Sequence, residues 1–228
     1  MNNKILNKRQ ILRVIVGSQA HGLATAKSDI DYRGVFVIPT SEILELGNKV
    51  HSTSWNEGSD DDTSWELGHF LNLAIHCNPT ILEALLAPID ERSTITDYGK
   101  ELRELFPSLW NSTDVKNAFI GYGVNQRKKF LENKDKRQAK YACAYLRVLY
   151  NATELLEKGT FSVDMRNTPI FATLKKWRNG EFEIGEVIQI SEQWKDKIEK
   201  LYSEKPEKKS DLEKVNNFLL KVRKECWT

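Results

Sequence analysis

Paired cysteines and any apolar run long enough to cross a bilayer are missing from this 228-residue sequence. Its three cysteines, Cys77, Cys143 and Cys226, are odd in number and far apart, with no CxxC pair and no zinc-ligand spacing. This excludes a disulfide scaffold and a disulfide-linked partner, and it points to a reducing compartment. The short apolar run Ile11–Val16 is too brief for a signal segment, and nothing approaches the roughly 18 apolar residues of a membrane helix. The expectation is a cytoplasmic protein with no membrane role. Low-complexity tracts and internal repeats are also absent. The four histidines, His21, His51, His69 and His76, are not spaced as a metal cluster and read as surface or packing residues. Ser18 lies outside any GxSxG elbow, which argues against a hydrolase nucleophile.

What remains is an ordinary globular composition, 40% hydrophobic and 29% charged with a mean hydropathy of −0.52. The charge is unevenly spread. Residues 1–110 carry 10 Lys/Arg against 15 Asp/Glu, and residues 111–228 carry 24 against 17. An acidic part suited to cations thus precedes a basic part suited to a phosphate-rich ligand, although solvated surfaces give the same imbalance.

Along the first part, strand and helix signals alternate. Ile11–Val16 is β-branched and ends at Gly17-Ser18, and Ile30–Ile38 is a second strand stopped by Pro39. Weaker strand signals lie at Val50–Trp55 and Thr63–Trp65, around an acidic turn from Glu57 to Asp62. Leu67, Phe70, Leu71, Ala74 and Ile75 then recur at helical spacing, Asn78-Pro79 starts another helix, and 97–106 forms a third. Beyond a seam at Pro107–Thr113 the chain reads as helical, with helices over 136–157, 168–178, 185–203 and 211–225. The expected fold is α+β: a mixed sheet with flanking helices over 1–110, followed by a helical bundle over 111–228.

The chemistry concentrates in Val16-Gly17-Ser18, ten intervening residues, and Asp29-Ile30-Asp31-Tyr32. A glycine at a strand end lets backbone N–H groups approach a phosphate, and Ser18 adds a hydroxyl at the start of a helix. Two carboxylates two residues apart on a strand leave the same face and repel each other unless a cation lies between them. Mg²⁺ suits such a pair because it is held by one or two carboxylates together with substrate phosphates and water. Either motif alone is commonplace; in this order on one sheet edge they reinforce each other. Lys136, Lys140 and Arg147 line one side of the long helix and read equally well as a phosphate clamp or as a solvated face.

The pattern hydrophobic-Gly-Ser, about ten residues, Asp-hydrophobic-Asp resembles the signature of the DNA polymerase β superfamily of nucleotidyltransferases. More closely, Gly17-Ser18-Gln19-Ala20-His21-Gly22, Ser28 through Phe36, Glu66-Leu67 with Phe70-Leu71, and Asn78-Pro79-Thr80 with Leu82-Glu83 resemble the YcgL/RlaP-like predicted nucleotidyltransferases of bacteria and their phages. The resemblance runs through the first ninety or so residues and continues loosely through Lys140, Arg147 and Thr160–Arg166. It implies a polymerase β-type sheet with Gly17 and Ser18 on the triphosphate, beside which Lys140 and Arg147 are the candidate nucleotide-binding cations of the helical half. Asp29 and Asp31 would hold two Mg²⁺ ions, for which Mn²⁺ can substitute. The expected reaction moves a nucleoside monophosphate, AMP from ATP or the equivalent from another NTP, to an acceptor hydroxyl; the resemblance does not name the acceptor, which is left open among tRNA, another RNA, a protein side chain and a small molecule.

The superfamily's third carboxylate lies between hydrophobic residues on a later strand, and Glu66, between Trp65 and Leu67, fits that form. Asp62 competes, because Asp62, Ser64 and Glu66 share one face by strand periodicity. A catalytically silent nucleotide- or RNA-binding module and a two-metal nuclease are the alternatives. Intact aspartates weigh against the first, and a triphosphate-type turn weighs against the second.

Overall fold

The computed structural model describes residues 9–26, 28–47, 62–228 and the backbone of 53–56. Five strands, β1 (Gln10–Val16), β2 (Asp31–Phe36), β3 (Thr53–Asn56), β4 (Asp62–Glu66) and β5 (Thr94–Ile95), form one mixed sheet in the order β3-β4-β2-β1-β5. Among the described residues only the β2–β4 pairing is parallel. The fold is α+β, as the sequence pattern predicts. The second strand is shorter than its apolar content, however: it begins at Asp31, so Asp29 and Ile30 lie on the approach to the strand. The Val50–Trp55 signal is met by β3, its first residues lying outside the described set along with His51 and most of the acidic turn.

Register decides which side chains share a face, because paired residues on adjacent strands point the same way. Val16 pairs with Asp31 and Val14 with Arg33, so this face carries both Asp31 and Arg33. Tyr32 pairs with Asp62, Gly34 with Ser64 and Phe36 with Glu66, which puts Asp62, Ser64 and Glu66 on the opposite face.

Around the sheet lie α1 (Gly17–Ala20), α2 (Thr40–Leu44), α3 (Leu67–Ile75), α4 (Pro79–Leu86), α5 (Asp97–Glu104) and α6 (Phe106–Leu109). The sequence supplies their starts. Asn78 caps α4 through Thr80 N with Pro79 as its first residue, and Thr96 caps α5 through Gly99 N. Next come α7 (Ser112–Glu132) and α8 (Gln138–Lys158), an antiparallel hairpin whose connection uses left-handed backbone at Asn133 and Lys136. Helices α9 (Phe171–Arg178) and α10 (Ile184–Glu204) pack on α8. The last helix, α11 (Leu212–Glu225), packs instead against α3 and α6. The hydrophobic core is continuous from Ile11 to Val222. A division at residue 110 therefore remains a proposal, one that the final helix crosses.

Candidate functional site

Where β1 and β2 meet α4, α7 and α8, a cleft of about 590 Å³ opens. Gly17, Ser18, Asp29, Asp31, Lys136, Lys140 and Arg147 all line it, so residues up to 130 positions apart in the sequence-based site share one wall system. Gly17 has φ +64°, a conformation that favours glycine, and a Cβ there would overlap the Asp31 carboxylate. The turn and the acidic strand start are thus in van der Waals contact. Arg33, Arg137 and Arg178 join Lys136, Lys140 and Arg147 on the walls, against Asp29, Asp31 and Glu83. Six cations facing three carboxylates favour a polyanionic ligand.

The best-held part of the cleft joins residues that the sequence left apart. His21 Nε2 lies 2.8 Å from Glu83 Oε1, and Arg147 Nη1 donates to Glu83 Oε2 at 2.6 Å. All three side chains are largely buried. Burial opposes ionisation of Glu83, but Arg147 and His21 outweigh it and hold its carboxyl well below the usual range. Burial and then the Arg147 cation keep His21 below its ordinary value, against the pull of Glu83 and Asp31. His21 is therefore neutral at pH 7 and donates Nε2–H to Glu83. Among the described residues, Arg147 keeps four of its five N–H donors for other partners.

Both pKa values are depressed on folding, so the unfolded chain binds more protons as pH falls and stability drops with it. The His21 contribution is lost from its ordinary value of 6.5 downward, and the Glu83 contribution from 4.5 downward. Melting temperature measured from pH 8 to pH 4 should hold near the top of this range and decline below about 6.5, and a His21→Gln variant should lose the upper limb of that decline. A wild-type profile flat down to pH 5 would show that the buried network does not carry these shifts.

Glu66, expected as third carboxylate, is not among the residues that line the cleft. It lies in register with Phe36, five residues along β2 from Asp31, about 16 Å away at strand rise, and it points to the other face. Its oxygens are otherwise engaged: Oε1 is 2.7 Å from Arg223 Nη2, and Oε2 accepts from Gly68 N at 2.7 Å, capping α3. Asp62 shares that face and accepts from Arg13 Nε at 2.9 Å, while the Arg13 guanidinium stacks on Tyr32. Glu66→Gln should consequently leave turnover within about threefold of wild type and reduce stability by ~1–3 kcal/mol, measured by denaturant unfolding beside a transfer assay. A hundredfold loss of kcat in the folded variant would restore Glu66 to the chemistry.

Among the described residues, no three His, Cys, Asp or Glu side chains converge as a metal cage. Asp29 has no ion pair or side-chain hydrogen bond among the described residues. Cys143 also faces the cleft, but burial pushes its thiol up to about 12, which makes it a small apolar wall and not a nucleophile. Sequence reasoning missed Arg33, Glu83, Tyr122, Gln126 and Arg178, and gave His21 no role. The only advance signal was the presence of His21, Arg33 and Glu83 in the motifs quoted above. Among the described residues, no helix is long and apolar enough to cross a membrane.

A Gly-Ser turn packed on an acidic strand start, within a cleft of cations, is the arrangement of a polymerase β-type nucleotidyltransferase. Comparison with known families gives the assignment more narrowly: residues 3–221 match the RNA repair pathway DNA polymerase beta family, RlaP, and the chain belongs to it. It is also similar to an uncharacterized 38.9 kDa protein from the nrdC–mobD intergenic region of Enterobacteria phage T4, at 29% identity over 133 residues. That match covers 54% of this chain and 39% of the phage protein, so the chain spans well under half the length of that relative.

Proposed function

We propose that this protein transfers AMP from ATP to a hydroxyl on an RNA acceptor and releases pyrophosphate. The observation that carries the proposal is the contact of Gly17 with the Asp31 carboxylate inside a cation-lined cleft. A triphosphate on the Gly17-Ser18 turn would there lie directly beside the carboxylate that positions its metal. The family's place in RNA repair supports an RNA acceptor.

The residues fit Mg²⁺. Asp31, with Asp29 at the cleft rim, offers the one or two carboxylates that this ion takes beside substrate phosphates and water. When bound, the ion would neutralise the phosphates and stabilise charge developing on the leaving pyrophosphate. The chain's own residues do the rest. Backbone N–H groups and the Ser18 hydroxyl orient the β- and γ-phosphates, and Lys140, Arg178 and the spare donors of Arg147 draw in the triphosphate and hold it. Glu83 fixes the Arg147 guanidinium in place before substrate arrives. The work is mainly positioning and charge compensation.

Parallel incubations with α-labelled and γ-labelled ATP, Mg²⁺ and RNA test the proposal. Label from the α-position should appear on RNA and disappear on addition of EDTA, while γ-label should leave as pyrophosphate. Transfer of γ-label to RNA, or RNA shortened without labelling, would replace this reading with a kinase or a nuclease.

A further inference from the structure

The connection between α7 and α8 is mostly exposed, and its charge is one-sided. From Arg127 to Lys140 there are seven Lys/Arg against two Asp/Glu. Lys136, Arg137 and Lys140 line the cleft, and all three are exposed where Arg147 is largely buried, so they stand at its rim. Lys129 lies beyond them, its Nζ 5.7 Å from the ring of Tyr141, which belongs to the cleft wall. The cations therefore continue past the rim. A triphosphate seated on the Gly17-Ser18 turn has no use for charge on that outer surface, whereas a polyanionic chain has.

The backbone of the connection adds a second observation. Lys136 has φ +58°, in the left-handed region that residues with a Cβ rarely adopt. Asn133 has φ +43°, but asparagine tolerates that conformation and here ends α7. Glycine or asparagine would make the turn at Lys136 with less strain. The lysine gains nothing in exchange within the fold, since its ammonium has no ion pair among the described residues. What it supplies is an open cation at the rim. Arg137, next to it, is held by one edge: Nε donates to Asp135 Oδ2 at 2.7 Å, Nη2 lies 2.6 Å from that oxygen, and the Tyr141 hydroxyl donates to it as well. The Nη1 end has no partner among the described residues and is already oriented.

We propose that Lys136 and Arg137 grip the sugar-phosphate backbone of the acceptor strand where it enters the cleft, and that Lys129 prolongs this track outside. The inference rests on the proposed function, since it gives the RNA acceptor of that reaction its place on the protein.

Anisotropy of a labelled single-stranded RNA oligonucleotide, titrated with the full chain over a series of KCl concentrations, tests it. Two phosphate contacts account for a slope of about 1.4 in log Kd against log salt, and Lys136→Asn with Arg137→Gln should remove that much. At low salt the same double variant should bind RNA about tenfold or more weakly, while calorimetric titration with inorganic tripolyphosphate stays as in wild type. Lys136→Asn alone should melt at the wild-type temperature or up to about 3 °C above it, because the left-handed strain is relieved. An unchanged salt slope, equal losses of RNA and tripolyphosphate binding, or a lower melting temperature for Lys136→Asn overturns the inference. Transfer of α-label from ATP to RNA reads the proposed function separately. If wild type transfers AMP and the double variant keeps its salt slope, the inference alone fails; if the slope falls as expected but wild type transfers nothing, the RNA track stands and the transfer reading fails.

Discussion

Asp31→Asn should lower the rate of nucleotidyl transfer by about 10³-fold or more and leave the fold intact. Asp31 opens β2, half-buried, with its carboxylate where the side chain of any residue other than glycine at position 17 would stand. Asparagine preserves the shape and removes the charge, so the variant keeps its packing against Gly17 while losing most of its hold on a divalent ion. Single-turnover transfer of α-label to RNA measures the loss, and thermal melting checks the fold. Asp29→Asn should be milder, because Asp29 is exposed and precedes the strand. Asp62 and Glu66 face away, and the odd-numbered acidic neighbour, Asp61, lies outside the described residues. Near-normal transfer by a folded Asp31→Asn protein would remove the metal-dependent mechanism altogether.

Glu83→Ala should produce the largest stability change of any single substitution in the cleft, a loss of ~3–5 kcal/mol. The reason is less the ion pair itself than what its removal leaves behind. Arg147 would be a buried cation without a counter-charge, and His21 would lose the acceptor of its Nε2–H. For a chain of this size such a loss lowers the melting temperature by on the order of 10 °C. Replacing both partners, Glu83→Leu with Arg147→Leu, should recover most of the stability, since well-packed apolar groups often match a buried pair. The double variant should nonetheless bind ATP more weakly than wild type, for want of the Arg147 donors. Equilibrium unfolding in urea and ATP titration separate the two effects. A single variant within 1 kcal/mol of wild type would mean that Arg147 finds other partners at no cost.

Local signals in the sequence carried the strands and the phosphate turn. β1 is a run of β-branched residues stopped by Gly17, and α8 follows a strong apolar stripe. In contrast α7, of 21 residues, gives no comparable stripe: Gly121 and Gly123 interrupt it, and its apolar contacts at Val115, Phe119 and Phe130 are sparse. Glu66 shows a different limit. Periodicity within β4 places Asp62, Ser64 and Glu66 together, but which face of the sheet they occupy depends on the register with β2, a tertiary property. The helix onset that made Glu66 look like a sheet-edge residue is real, and there Glu66 caps α3 and meets Arg223. Likewise nothing local joins His21, Glu83 and Arg147; they meet because α4 and α8 both border the end of β1.

The return of α11 to the first half of the chain bears on how the protein is made. Glu66 is 4% exposed in the finished fold, and its cationic partner follows roughly 160 residues later. At ribosomal speeds of about 5–20 residues per second, the sheet waits on the order of ten seconds or more before Arg223 is even synthesised. Until then Glu66 must stay hydrated, so α3 and β4 cannot close fully over it. The nascent sheet should therefore remain open to proteases and chaperones through most of translation, and the last helix should lock it in a late step.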